Sequence, residues 1–199
     1  MAETSSQRYT PGHQLLHWLV FVLFVAQYSL VAGIEAVGRG SLEDFLYNAH
    51  KSIGLTILLV VFVRIWWRMT HPLPPDSQVY PLWQKRAAAA THYLLYAGML
   101  VMPITGYTWV MAGGYGAVFY GIPVPDLIGE SETLAEIAEE IHEITGWVIA
   151  GLLLMHISAA LYHQFVLKDN LISRMLPGSW TPPPAVPIHH GEAGHEGDH

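Results

Sequence analysis

The 199-residue chain contains no cysteine, which excludes disulfides, iron–sulfur clusters and thiolate zinc sites. Charge is also scarce. Only 13% of residues are Asp, Glu, Lys or Arg, about half the share usual in a soluble domain. Lys and Arg number 9 against 16 Asp and Glu, a net charge of −7, and so few cations give no footprint for a nucleic-acid partner. With 52% apolar residues and a positive mean hydropathy, the chain is not built to cover itself with polar surface.

The apolar residues gather into four runs, roughly 14–34, 47–69, 87–111 and 143–167. Each reaches the ~20 residues that cross the hydrocarbon core of a bilayer as a helix. The fold expected is all-α: an integral membrane four-helix bundle in direct contact with lipid. The first run is longer than the apolar part of a signal peptide and lacks a small-residue cleavage site, so it reads as a retained span. Residues 1–13 form a polar N-terminal segment and 14–177 the bundle. The Pro-rich, His- and Glu-rich stretch 178–199, with His189, His190, His195 and His199, cannot bury a core and is expected to be disordered.

Alternating helices place Arg8, Arg64, Arg68, Lys85, Arg86, Lys168 and Arg174 toward one side and only Arg39 and Lys51 toward the other. By the positive-inside rule both termini are cytoplasmic. The outer side is strongly acidic, with Glu35, Glu43, Asp44, Asp126, Glu130, Glu132, Glu136, Glu139, Glu140 and Glu143.

Histidine is the residue that stands out inside these runs. Ionisable groups in a membrane are costly and usually functional. The fourth run carries His142, His156 and His163. The fourteen positions from His142 to His156 correspond to about 21 Å of helical rise and only about 40° of net rotation, so both rings lie on nearly one face. The second and fourth helices both start on the outer side, and His50 and His142 each fall near that end. Each has a glycine four residues on, Gly54 and Gly146, which leaves space beside a ligating ring for a flat macrocycle. His50 and His142 therefore read as the axial pair of an outer haem.

The inner partner of His156 is chosen by depth. From its outer end His17 lies about 25 Å in, against about 28 Å for His92 and about 31 Å for His163, so His17 matches best. Ligation by His92 or His163 is the competing assignment; otherwise these two rings suit contacts at a haem edge or a quinone site. His13, one turn before His17, and His71, in a proline-rich loop, read as interfacial or solvated residues. A bis-histidine iron has no open position and serves electron transfer.

The quartet lies within HWLVFVLF from residue 17, NAHKSIGLTILLVVFVRIWWRMTHPLPP from 48, THYLLYAGMLVMPITG from 91 and HEITGWVIAGLLLMHISAALYHQFVLKDN from 142. Together these segments resemble the bacterial cytochrome b561 family, four-helix dihaem membrane proteins related to the cytochrome b subunits of hydrogenases and formate dehydrogenases. The resemblance implies two haems b on the residues matching the family's motif, His17, His50, His142 and His156. It also implies a bacterial inner-membrane location and electron exchange between the quinone pool and a periplasmic redox protein or a larger respiratory complex. Family members include a superoxide oxidase. Here the acidic outer face should repel that anion, the loop MAGGYGAVFYG is uncharged, and Lys51 beside His50 is the one local cation. A quinone site is expected at the inner side near Trp18, Arg68, His92, His163 and Lys168.

Overall fold

A computed structural model describes residues 8–74, 80–169 and 171–176. Helix α1 spans Pro11–Ala36, α2 Ser41–Thr70, α3 Leu82–Ala112 and α4 Glu132–Tyr162. All four are long and apolar enough to cross a membrane. The expected tail at 178–199 and its histidines lie outside the described residues.

The helices overrun the apolar runs because the runs mark the hydrocarbon segment, not the helix. Helix α1 opens on Thr10-Pro11, with proline where its missing N–H costs nothing. Helix α2 starts at Ser41 instead of 47, with Glu43 and Asp44 in a first turn whose exposed N–H groups favour negative charge. Helix α3 starts at Leu82 instead of 87 and carries Pro103 within it. Helix α4 takes in the amphipathic stretch before the span, and the Ser131 side chain accepts from the Leu134 N–H at its start. His50 and His142 therefore sit well inside their helices, beyond the first turn, at matching distances from Ser41 and Glu132.

Between α3 and α4 the expected irregular loop holds a small antiparallel hairpin, Val118–Phe119 with Ile122–Pro123. Its turn residues Tyr120 and Gly121 have φ of 50° and 89°, the left-handed pair of a tight hairpin turn. Ser52 of α2 anchors it, donating to the Val118 carbonyl at 3.1 Å and accepting from the Tyr120 N–H at 3.0 Å. Nearby, the Gly129 and Ile128 N–H groups donate to exposed Asp126 and hold its carboxyl below the ordinary range.

At the opposite end the two chain segments are tied together. The Tyr9 N–H donates to the Arg174 carbonyl, Gln14 Nε2 to the Tyr9 and Arg174 carbonyls, and Trp18 Nε1 to the Met175 carbonyl at 2.7 Å. Helix α4 ends in a π-helical turn at His163–Leu167, closed by Lys168 at φ 55°. This end is termed inner below, and the hairpin end outer.

Helix α3 packs along α4, α1 along α2, and α2 touches α3, whereas α4 makes no extended backbone approach to α1 or α2. A gap therefore runs between α4 and the α1–α2 pair. Its waist is filled by Val20, Phe24, Ile57, Val61, Leu95, Met99 and Ile149. Ile149, fully buried, lies midway between His142 and His156 on α4. The outward surface is apolar, with Val22, Leu59, Phe62, Trp147 and Leu154 all exposed, as suits a protein whose solvent is lipid.

At Gly98 of α3 a Cβ would fall 2.8 Å from Ile149 Cγ1, so hydrogen is the only side chain that fits without displacing the waist. Gly98→Ala is expected to lower stability by roughly 1–3 kcal/mol through overpacking, read as a lower thermal midpoint in detergent.

Candidate metal centres

In the outer half of the gap, His50 from α2 faces His142 from α4 with ring centres 6.2 Å apart. An imidazole nitrogen sits about 2 Å from a bound transition metal and the ring centre about 1 Å beyond, so an iron between two rings needs about 6 Å between centres. The spacing fits.

His142 is held from behind. Its Nδ1 lies 2.9 Å from the Met102 carbonyl oxygen, which can only accept, so the ring proton is on Nδ1 and Nε2 offers its lone pair. Gly106 makes this placement feasible: a Cβ there would stand 2.8 Å from His142 Cε1. The Trp109 ring flanks the other side at 6.0 Å. The Nδ1 of His50 is buried without a hydrogen-bond partner.

The two glycines picked out by sequence face side-chain tips. A Cβ at Gly54 would meet Gln27 Nε2 at 3.2 Å, and one at Gly146 would meet Met102 Cε at 3.2 Å. Gln27 also donates to the His50 carbonyl, and the Tyr28 hydroxyl donates to the Gly146 carbonyl at 2.8 Å. Lys51 turns to the outer loop, donating to the Gly116 carbonyl at 3.2 Å.

In the inner half three rings converge. His17 of α1 faces His156 of α4 at 6.2 Å between centres, the same spacing as the outer pair, and His92 of α3 approaches His156 to 5.2 Å. The Nδ1 of His92 donates to the Ala88 carbonyl at 2.7 Å, leaving its Nε2 lone pair available. The Nδ1 of His17 lies 3.1 Å from an Arg64 nitrogen, and a guanidinium only donates, so here Nδ1 accepts.

His163 lies apart from this trio. Its Nδ1 pairs with Asp169 Oδ2 at 2.5 Å, the Tyr80 hydroxyl donates to the same oxygen at 2.9 Å, and the Tyr80 ring packs edge-on at 5.3 Å. His92 and His163, expected as neighbours at the inner surface, thus have different partners: α3 packs His92 inward onto His156, and the turn beyond α4 carries His163 to Asp169. His13 and His71 gather round Trp67, with His71 stacked at 3.7 Å and His13 edge-on at 6.4 Å.

Two pairs of facing imidazoles thus line one gap at two levels, each pair with 6.2 Å between ring centres. A family profile described as prokaryotic cytochrome b561 matches residues 8–178. The chain belongs to that family. Its relatives include cytochrome b561 homolog 2 of Escherichia coli K12, 29% identical over 174 residues, covering 85% of this chain and 92% of the relative. Cytochrome b561 homolog 1 of the same organism is 25% identical over 171 residues, covering 85% and 97%. A probable superoxide oxidase of Yersinia pestis is 26% identical over 162 residues, covering 81% and 92%. As a prokaryotic cytochrome b561, the chain is an electron-transport protein of the bacterial inner membrane that carries b-type haem.

The cytochrome's packing gives Gly106 a role that sequence alone did not reveal; its signal there is only a glycine three residues after Pro103. Gly106→Val should displace His142 and lower bound haem per chain, measured by absorbance, while Gly151→Val, on the exposed side of α4 where a Cβ meets nothing within 4 Å, leaves haem content unchanged.

Proposed function

We propose that the protein is a dihaem cytochrome b that moves electrons across the inner membrane between the quinone pool and a periplasmic donor or acceptor. Its functional unit is the bundle at 14–177, with both termini cytoplasmic. His50 and His142 hold the outer haem and His17 and His156 the inner. The observation that carries this reading is the repeated 6.2 Å spacing of facing imidazoles at two levels of one gap.

The haems supply one-electron redox chemistry, and the protein supplies position and insulation. The Met102 carbonyl fixes the outer ring's orientation. The waist of Phe24, Ile57, Val61 and Ile149 keeps water from the path between levels, and the fourteen-residue spacing of His142 and His156 on α4, about 21 Å of rise, would set the distance between the haems they hold. At the inner surface Trp18, Arg68, His92, His163 and Lys168 frame the proposed quinone site. There the Asp169 carboxylate holds His163 by one ring nitrogen, which leaves the other to hydrogen-bond a quinone.

Hydrogen bonding supports one variation. His92 offers a free Nε2 to the inner level, whereas His17 has Arg64 at its Nδ1, so His92 is the competing inner ligand. The outer partner is a periplasmic redox protein or a larger respiratory complex, which the acidic face suits if that partner is basic. Superoxide oxidation, suggested by the name of the Yersinia pestis relative, is the alternative activity. Against it stand the carboxylates Glu130, Glu132, Glu136 and Glu139, which line one outer cleft and repel an anion.

Purified protein should bind two haems b per chain. His142→Ala should lose the outer one, and His17→Ala should lose the inner one while His92→Ala keeps it. The reverse outcome for the last two variants moves the inner ligand to His92, and a His142→Ala protein that keeps both haems contradicts the outer assignment. Fast haem reduction by quinol but not by superoxide supports electron transfer over the alternative.

A further inference from the structure

Arg64 is a cation within a membrane-spanning helix, a costly placement that normally marks function. It lies fourteen residues after His50 on α2, the same interval that separates His142 from His156 on α4. Arg64 therefore stands at the inner level as His50 stands at the outer one. Its Nε donates to the Tyr96 hydroxyl at 3.0 Å, one terminal nitrogen donates to the Leu16 carbonyl at 3.2 Å, and the other lies 3.1 Å from His17 Nδ1. The guanidinium also stands over the Tyr96 ring at 5.6 Å, and Arg68 does so at 5.9 Å. All of these partners are neutral. Among the described residues Arg64 has no acidic partner, and the one inner carboxylate so placed, Asp169, is engaged by His163, Tyr80 and the Leu171 N–H.

The outer level has the opposite character. His142 gives its ring proton to a backbone carbonyl, which makes a ligating imidazole a stronger electron donor. Trp109, against the His142 ring, also lines the cleft that holds Glu130, Glu132, Glu136 and Glu139. Lys51, the local cation, is directed to the Gly116 carbonyl.

We propose that Arg64 is the fixed positive charge that makes the inner site the stronger electron acceptor of the two, so that electrons settle at the inner level. The proposal rests on the reading of two stacked haem sites and holds whichever ring completes the pair with His156. An iron that gains an electron loses one unit of positive charge. A nearby cation therefore favours the reduced state and nearby anions the oxidised state, most strongly where water and salt are excluded. Its contacts with Tyr96 and Leu16 hold the guanidinium in place. The step is the loss of one electron from the outer iron and its gain by the inner iron, with no bond made or broken. The preferred direction is from the outer face toward the inner side.

The test is a potentiometric titration of the purified dihaem protein followed by optical and electron paramagnetic resonance spectra. The outer signal is assigned by its loss in His50→Ala. The expected result is an inner midpoint above the outer one in the unmodified protein, a fall of the inner midpoint alone in Arg64→Gln, and retention of the order in Arg64→Lys. An outer midpoint equal to or above the inner one in the unmodified protein overturns the proposal, as does an Arg64→Gln protein with both haems and unchanged midpoints. If Arg64→Gln does not fold, Arg64→Met, uncharged and of similar length, takes its place with the same expected fall of the inner midpoint alone, and unchanged midpoints overturn the proposal. Failure of the two-site reading itself would show separately, as fewer than two haems per chain before any substitution.

Discussion

An imidazole inside a bilayer has no water to bond with, so its ring nitrogens must find partners within the protein or on a bound group. That constraint shapes the bundle. Five histidines, His17, His50, His92, His142 and His156, turn toward one gap, and two pairs of them meet across it at the same spacing. The helices that carry them are kept apart while α3 backs α4 and α1 backs α2. Packing without extended α4 contact to α1 or α2 would be a weakness in an apolar bundle. It leaves the room that the proposed planar group, held from both sides, would take.

The waist between the two levels follows from the same arrangement. Phe24, Ile57 and Ile149 each lie seven residues beyond His17, His50 and His142 respectively, so about two helical turns carry each face from a ring to an apolar side chain. Gly98 allows Ile149 to close that layer. The result is an apolar septum with a pair of facing imidazoles on either side, which would keep water from the path between the two proposed haems.

Much of this was legible in the sequence because helix geometry converts residue number into depth. The rise per residue is fixed, so His50 could be matched with His142 and His17 with His156 before any coordinates. Other features depend on groups that a residue pattern does not display. The Met102 carbonyl behind His142 is backbone, and the closeness of Gly106 to that ring depends on how α3 rotates against α4. Sequence puts His50 and His142 near the outer ends of their helices because the apolar runs begin there, whereas the acidic residues outside those runs extend α2 and α4 outward. The hairpin at 118–123 was missed because two-residue strands leave no alternation to read. His92 and His163 look equivalent by depth, and they separate only because a π-turn and Asp169 draw His163 aside.

The central claim is that the gap holds two irons, each closed by two imidazoles. Low-temperature electron paramagnetic resonance of the oxidised protein tests it most directly. Two distinct low-spin ferric signals with bis-imidazole character, integrating to two spins per chain, are predicted. A single signal, or a high-spin signal from an iron with an open position, would contradict the account.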